Sequence, residues 1–186
     1  MGQCPIWLVG MMGAGKSAVG PLLAQSLDRR FVDSDREIER SAGMTVSEIF
    51  SVEGERAFRG RERQAVENLS SGADVVALGG GTIAQPGAAD VLGRTGTVVY
   101  LKASASALLS RLGDCSDRPL LHGLAPEERL AKLESLLAER ASAYETAAIE
   151  VDTESRTLEA VVEEILLRLD PAKSGRESDV EKGVRV

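Results

Sequence analysis

The stretch Gly10-Met11-Met12-Gly13-Ala14-Gly15-Lys16-Ser17 constrains this chain more than any other. It fills every position of G-x-x-x-x-G-K-[ST], a pattern whose spacing follows from its task. Glycines let the backbone curl so that successive N–H groups point inward at phosphate oxygens. A helix opening at Lys16 aims its positive end at the same oxygens. Lys16 then reaches the β- and γ-phosphates, and Ser17 offers its hydroxyl to Mg²⁺. Gly13, Ala14, Gly15, Lys16, Ser17 and Ala18 are therefore the expected nucleotide contacts. Such a loop works only between a buried strand and a helix. The flanks provide both: Ile6-Trp7-Leu8-Val9 is apolar on both faces, as parallel strands are, and Val19, Leu22, Leu23 and Leu27 have helical spacing.

Beyond the loop, short apolar runs alternate with longer amphipathic segments, which predicts an α/β fold with a mostly parallel sheet. A second strand starts at Phe31-Val32 and ends in Asp33-Ser34-Asp35; the others cover 75–78, 98–101 and 148–151. Thr45 and Glu48 have capping-box spacing and open a short helix. Further helices are expected at 53–69, after Ser104, from Pro126 to about Ala141, and over 157–169. Residues 113–125 lack periodicity and read as a loop, and the polar stretch 171–186 reads as a mobile tail. At 186 residues the chain suits one domain, residues 1–170, with that tail attached.

Composition narrows the chemistry. A net charge of −7 argues against nucleic acid or an anionic membrane as partner, since both need a basic footprint. Two cysteines, Cys4 and Cys115, and one histidine, His122, exclude a disulfide framework and a Cys/His zinc site. No elbow motif partners His122 for nucleophilic catalysis. The start Met1-Gly2-Gln3-Cys4-Pro5 shows no signal peptide, and Ile6 stands where a myristoylation signal wants Ser or Thr. No apolar run reaches the ~18 residues of a membrane span. A cytoplasmic, monomeric enzyme is the default expectation.

A phosphate loop alone does not separate kinases from other nucleotide-binding proteins. Four further motifs bear on that. The carboxylates of Asp33-Ser34-Asp35 could flank one reaction centre, one near Mg²⁺ and one at an acceptor hydroxyl. Alternatively they form a strand-to-helix turn with Asp35 as N-cap. Phe58-Arg59-Gly60-Arg61-Glu62-Arg63 is either a solvated helix face or, with Arg59 held by Glu62, a fork for a carboxylate. Gly79-Gly80-Gly81 follows a buried strand and permits close backbone approach to a ligand, or is simply a loose turn. Arg118-Pro119-Leu120-Leu121 lies in the long loop, where an arginine on a closing segment could neutralise transition-state charge.

Taken in order, G-M-M-G-A-G-K-S, D-S-D, G-E-x-x-F-R-x-x-E, G-G-G, R-P-L-L and the E-R-x-x-x-Y of Glu139, Arg140 and Tyr144 resemble the shikimate kinases over roughly residues 5–169. The resemblance implies a nucleoside-monophosphate-kinase-like fold: three layers, a five-stranded parallel sheet between helices, and a lid loop at about 113–125. It implies transfer of the γ-phosphoryl of ATP to the 3-hydroxyl of shikimate, with Mg²⁺ as cofactor. On the same ground Asp35, Lys16 and Arg118 would be catalytic, and Asp35, Arg59, Gly80, Gly81 and Arg140 would bind shikimate. Glu62 would position Arg59. Ser17 and Asp33 would serve the metal, Asp33 through water; the third strand ends Ala77-Leu78-Gly79 without an aspartate, so Asp33 must do more of that work. Arg111, Arg118 and Arg156 would lie against the nucleotide. The rival readings are a kinase of the same fold acting on another hydroxy acid, such as gluconate, and a non-catalytic ATP-binding regulator.

Overall fold

The computed structural model describes residues 4–72, 74–113 and 120–170. Arg118, the rest of the expected lid within 114–119, and the tail 171–186 lie outside the described residues. Five strands, β1 (Ile6–Val9), β2 (Phe31–Asp33), β3 (Val75–Ala77), β4 (Thr97–Lys102) and β5 (Ile149–Asp152), form one parallel sheet in the order β2-β3-β1-β4-β5. Eight helices are described: α1 (Lys16–Ser26), α2 (Ser34–Ala42), α3 (Val46–Val52), α4 (Glu55–Leu69), α5 (Ala88–Thr95), α6 (Ala105–Leu112), α7 (Pro126–Tyr144) and α8 (Leu158–Leu169). None is long and apolar enough to cross a membrane.

The alternation along each strand divides the core in two. In β1, Ile6 and Leu8 pack with Val19 and Leu23 of α1, Leu108 of α6 and Ile165 of α8. Trp7 and Val9 face the other way, onto Val66 and Leu69 of α4, Leu92 of α5 and Tyr144 of α7. A smaller cluster of Ile38, Ile49 and Phe58 joins α2, α3 and α4. Full burial of such side chains is worth about 1.5–3 kcal/mol each. That cluster therefore fixes α4, which carries Arg59 and Glu62, against the start of α2, which carries Asp35.

Four elements differ from the sequence reading. The second strand stops at Asp33, and Ser34 and Asp35 already belong to α2. The reason is local: the Asp33 carboxylate accepts hydrogen bonds from the N–H groups of Asp35 (3.1 Å) and Arg36 (3.4 Å), so Asp33, not Asp35, is the N-cap. The period-two argument for the aspartates therefore fails, although both end up at the same edge of the sheet. Helices α2 and α5 are additional to those expected. In α2 only Ser34 and Ile38 are buried, too few to give an apolar period, and α5 buries Leu92 alone. Finally, α7 runs three residues beyond Ala141, to Tyr144.

Register brings the motifs together. Asp33 of β2 and Leu8 of β1 both pair with Ala77 of β3. Two residues beyond that row stand Asp35, Gly10 and Gly79. Loops at the carboxyl ends of parallel strands are where this fold class binds ligands.

Candidate active site

The phosphate loop has the geometry its spacing demands. Gly13 and Gly15 take φ values of 82° and 96°, in the left-handed region that disfavours a Cβ. Gly15 is the N-cap of α1 and contributes no capping side chain, so the first N–H groups of that helix remain available to an anion. Lys16 Nζ donates to the Gly10 carbonyl at 2.7 Å and the Met11 carbonyl at 3.1 Å, folding the ammonium back over the loop. Ala14 is buried within the loop, and Ala18 lies exposed on the first turn of α1.

Ser17 Oγ donates to Asp33 Oδ2 at 2.9 Å, which joins the start of α1 to the end of β2. A hydroxyl and a carboxylate are hard oxygen donors suited to Mg²⁺, which keeps several waters and takes only one or two carboxylates from a protein. Among the described residues no group of three or more His, Cys, Asp or Glu side chains is placed to hold a metal.

The three glycines after β3 collect the other candidates around them. The Gly79 N–H donates to buried Ser34 Oγ (3.2 Å), and a Cβ on Gly79 would stand 2.7 Å from Glu62 Oε1 and 2.8 Å from Asp35 Oδ1. At Gly80 the nearest atoms would be the Gly10 carbonyl oxygen and Met12 N, both at 3.4 Å, and Arg140 Nη1 at 3.6 Å. At Gly81 they would be Arg59 Nη1 (2.9 Å) and Nη2 (3.2 Å). One short strap thus touches the phosphate loop, both expected arginines and Asp35.

Glu62 is 1% exposed and fully employed. Its Oε2 accepts from Arg59 Nη1 (2.8 Å) and Gln85 Nε2 (2.7 Å), and its Oε1 from Thr82 Oγ1 (2.6 Å). Arg59 also donates to Glu55 through Nε (3.2 Å) and Nη2 (2.8 Å). Burial works against the charge on Arg59, but the hydrogen bonds and charges of Glu62 and Glu55 outweigh it, and its pKa is raised. The solvated-face reading of this helix holds for Arg61, which pairs with Glu53 at 2.8 Å, but not for Arg59.

Thr82 and Gln85 escaped the sequence reading. Thr82 follows the glycines directly, which is a usable hint, whereas nothing in the sequence ties Gln85 to a residue 23 positions earlier. Glu62→Gln should cost about 1–3 kcal/mol, because an amide NH₂ must face a donor in a buried site. Thermal melting should show the midpoint falling by roughly 2–10 °C.

Arg140 is 8% exposed and donates from Nη1 to the Gly80 carbonyl at 3.0 Å, with Met11 Sδ at 3.4 Å. Tyr144 OH donates to the same carbonyl at 2.7 Å. Arg140 and Tyr144 are i and i+4 on α7 and share one face, which a helix ending at Ala141 would not have placed together. Burial pushes the Tyr144 phenol up to about 12.

Arg111 donates to the Gly13 carbonyl (3.3 Å), Thr153 Oγ1 (3.0 Å) and the Thr153 carbonyl (2.7 Å), so it braces the phosphate loop against the end of β5. Arg156 makes its contacts elsewhere, with Glu164, the Ala160 carbonyl (3.0 Å) and the Asp152 carbonyl (3.3 Å). In the described part of the expected lid, Leu121 is 0% exposed and belongs to the core, so the second half of that loop is anchored.

Comparisons with known proteins identify the family. A family model described as shikimate kinase matches residues 12–170. The shikimate kinase of Chlorobium chlorochromatii is 44% identical over 171 residues, covering 89% of this chain and 90% of that protein. That of Symbiobacterium thermophilum is 44% identical over 168 residues, covering 88% and 95%. Among solved structures, a shikimate kinase from Acinetobacter baumannii in complex with shikimate superposes with a TM-score of 0.86 at 40% identity, covering 92% of this chain and 95% of that one.

Proposed function

Since the chain belongs to the shikimate kinase family, we propose that the phosphate loop and the glycine strap after β3 form one reaction centre, moving the γ-phosphoryl of ATP to the 3-hydroxyl of shikimate. The chain is an ATP-dependent phosphotransferase. The observation that carries the residue assignment is the convergence on Gly79–Gly81 of Asp35, Arg59, Arg140 and the phosphate loop.

Lys16 and the N–H groups at the start of α1 bind the phosphates. Ser17 and Asp33 would hold Mg²⁺, which would neutralise charge on the transferring phosphoryl group. Arg59 and Arg140 bind the shikimate carboxylate. Glu62 keeps Arg59 extended and charged, with Thr82 and Gln85 fixing Glu62 in turn. The backbone at Gly80 and Gly81 meets ring hydroxyls. Asp35 orients the attacking hydroxyl and takes up its proton. In such a transfer the protein mainly positions and neutralises, so a rigid constellation is the relevant design. Arg111 and Arg156 are assigned to the adenine side of the nucleotide, Arg111 acting from its brace on the phosphate loop. The unit that acts is a single kinase domain, residues 1–170, working as a monomer.

ADP release with ATP and Mg²⁺ should be strongly stimulated by shikimate and not by gluconate. Release with gluconate alone would keep the transfer chemistry and overturn the acceptor. ATP binding with no acceptor-dependent release would overturn the transfer itself.

A further inference from the structure

Gly79 to Thr82 form a β-turn, closed by a hydrogen bond from Thr82 N–H to the Gly79 carbonyl at 3.0 Å. Its central peptide joins Gly80 to Gly81. In such a turn that peptide has two orientations, type I and type II, which differ by turning it over. The type II form needs positive φ at the third residue, and a glycine adopts that at no steric cost. A diglycine turn is thus locally indifferent between the two. Here neither Gly80 nor Gly81 has positive φ, so the type I orientation is the one present.

Contacts from outside the turn decide the matter. The Gly80 carbonyl accepts from both Tyr144 OH (2.7 Å) and Arg140 Nη1 (3.0 Å). Across a trans peptide the Gly81 N–H points opposite to that carbonyl. It has no acceptor among the described residues, and its residue lies against Arg59. Turning the peptide over would present a carbonyl where a donor now stands, and would leave two buried donors on α7 unmatched.

We propose that Tyr144 is a positioning residue for the acceptor, its hydroxyl acting with Arg140 to lock the Gly80–Gly81 peptide so that the Gly81 N–H faces the acceptor beside Arg59. The inference rests on the assignment of the strap to shikimate binding. Tyr144 is suited to the task. Its ring stacks on Tyr100 with centroids 4.6 Å apart and planes within 4°, so the hydroxyl is held in place. Its pKa of about 12 keeps it a donor across the working range.

The test is Tyr144→Phe in the full chain, which preserves the stack and leaves Arg140 on the carbonyl. The KM for shikimate should rise about three- to tenfold, the worth of one buried neutral hydrogen bond. The KM for ATP should stay as in the unmodified protein, and the melting midpoint should fall by no more than about 2–5 °C, the cost of one buried hydrogen bond. An unchanged KM for shikimate overturns the inference while the shikimate kinase reading stands. A parallel rise in both KM values means general loosening, and also overturns it. Failure of the unmodified protein to phosphorylate shikimate removes the reading and the inference together. Should the variant not fold, the Gly81 amide of the unmodified chain can be followed by NMR during shikimate titration. Movement of that resonance supports the lock, and a resonance that stays put overturns it.

Discussion

Asp35→Ala should lower turnover by about 10²–10⁴-fold, the usual worth of a positioned general base, and leave ATP affinity unchanged. The separation follows from where the two aspartates sit. Asp33 makes the bond to Ser17 and caps α2, accepting from the Asp35 backbone N–H at 3.1 Å. That bond uses the Asp35 backbone, so alanine keeps it and the helix start survives. What is lost is a carboxylate whose Oδ1 lies against Gly79, on the acceptor side of the strap. Asp35→Asn refines the test, because the amide can still orient a hydroxyl but cannot take up its proton. It should be nearly as impaired as the alanine variant. The checks are kcat from coupled ADP release and ATP affinity from a nucleotide titration. Turnover that survives in both variants would remove Asp35 from the chemistry and leave transfer to positioning by the strap and the arginines.

The phosphate loop was legible because everything it needs is local. Glycines at fixed spacing, a lysine, a serine, a strand before and a helix after all lie within residues 6–27. The sheet was legible for a related reason: parallel strands buried on both faces read as unbroken apolar runs. Helix α2 was not, because its burial rests on Ser34 and Ile38 and its remaining residues are charged or small. The aspartate pair was half legible. Its residues were singled out, but a side-chain cap ended the strand two residues before the expected place. The site's supports were least legible. Gly80 meets Arg140 and Tyr144 across 60 and 64 residues, and Glu62 meets Thr82 and Gln85 across 20 and 23. No periodicity encodes such contacts, because they exist only once the sheet register has set β1, β2 and β3 side by side. The family resemblance reached Arg140 and Glu62 without supplying the reason for their placement.

Gly79→Ala should damage the reaction centre directly with a single methyl. Nothing in the backbone forbids alanine there, since Gly79 does not have positive φ. The obstacle is what the methyl would meet: Glu62 Oε1 at 2.7 Å, Asp35 Oδ1 at 2.8 Å and Thr82 Oγ1 at 3.1 Å. Glu62 cannot withdraw, because it is 1% exposed and holds Arg59, Thr82 and Gln85 at once. The strap cannot easily lift either, since the Gly79 N–H is bonded to Ser34 and its carbonyl closes the turn to Thr82. The strain therefore falls on Asp35 or on the turn itself, and both belong to the reaction centre. Overpacking of this kind costs about 1–3 kcal/mol, or roughly 2–10 °C in melting midpoint. Misplacement of catalytic groups by about 1 Å costs on the order of 100-fold in rate. Gly93→Ala on α5 is the control. A Cβ there meets nothing within 4 Å, so helix propensity alone acts and the protein should be unharmed or slightly stabilised. If Gly79→Ala keeps full turnover, Asp35 does not need its place against the strap, and the coupling between acceptor and phosphate loop must run through Arg140 instead.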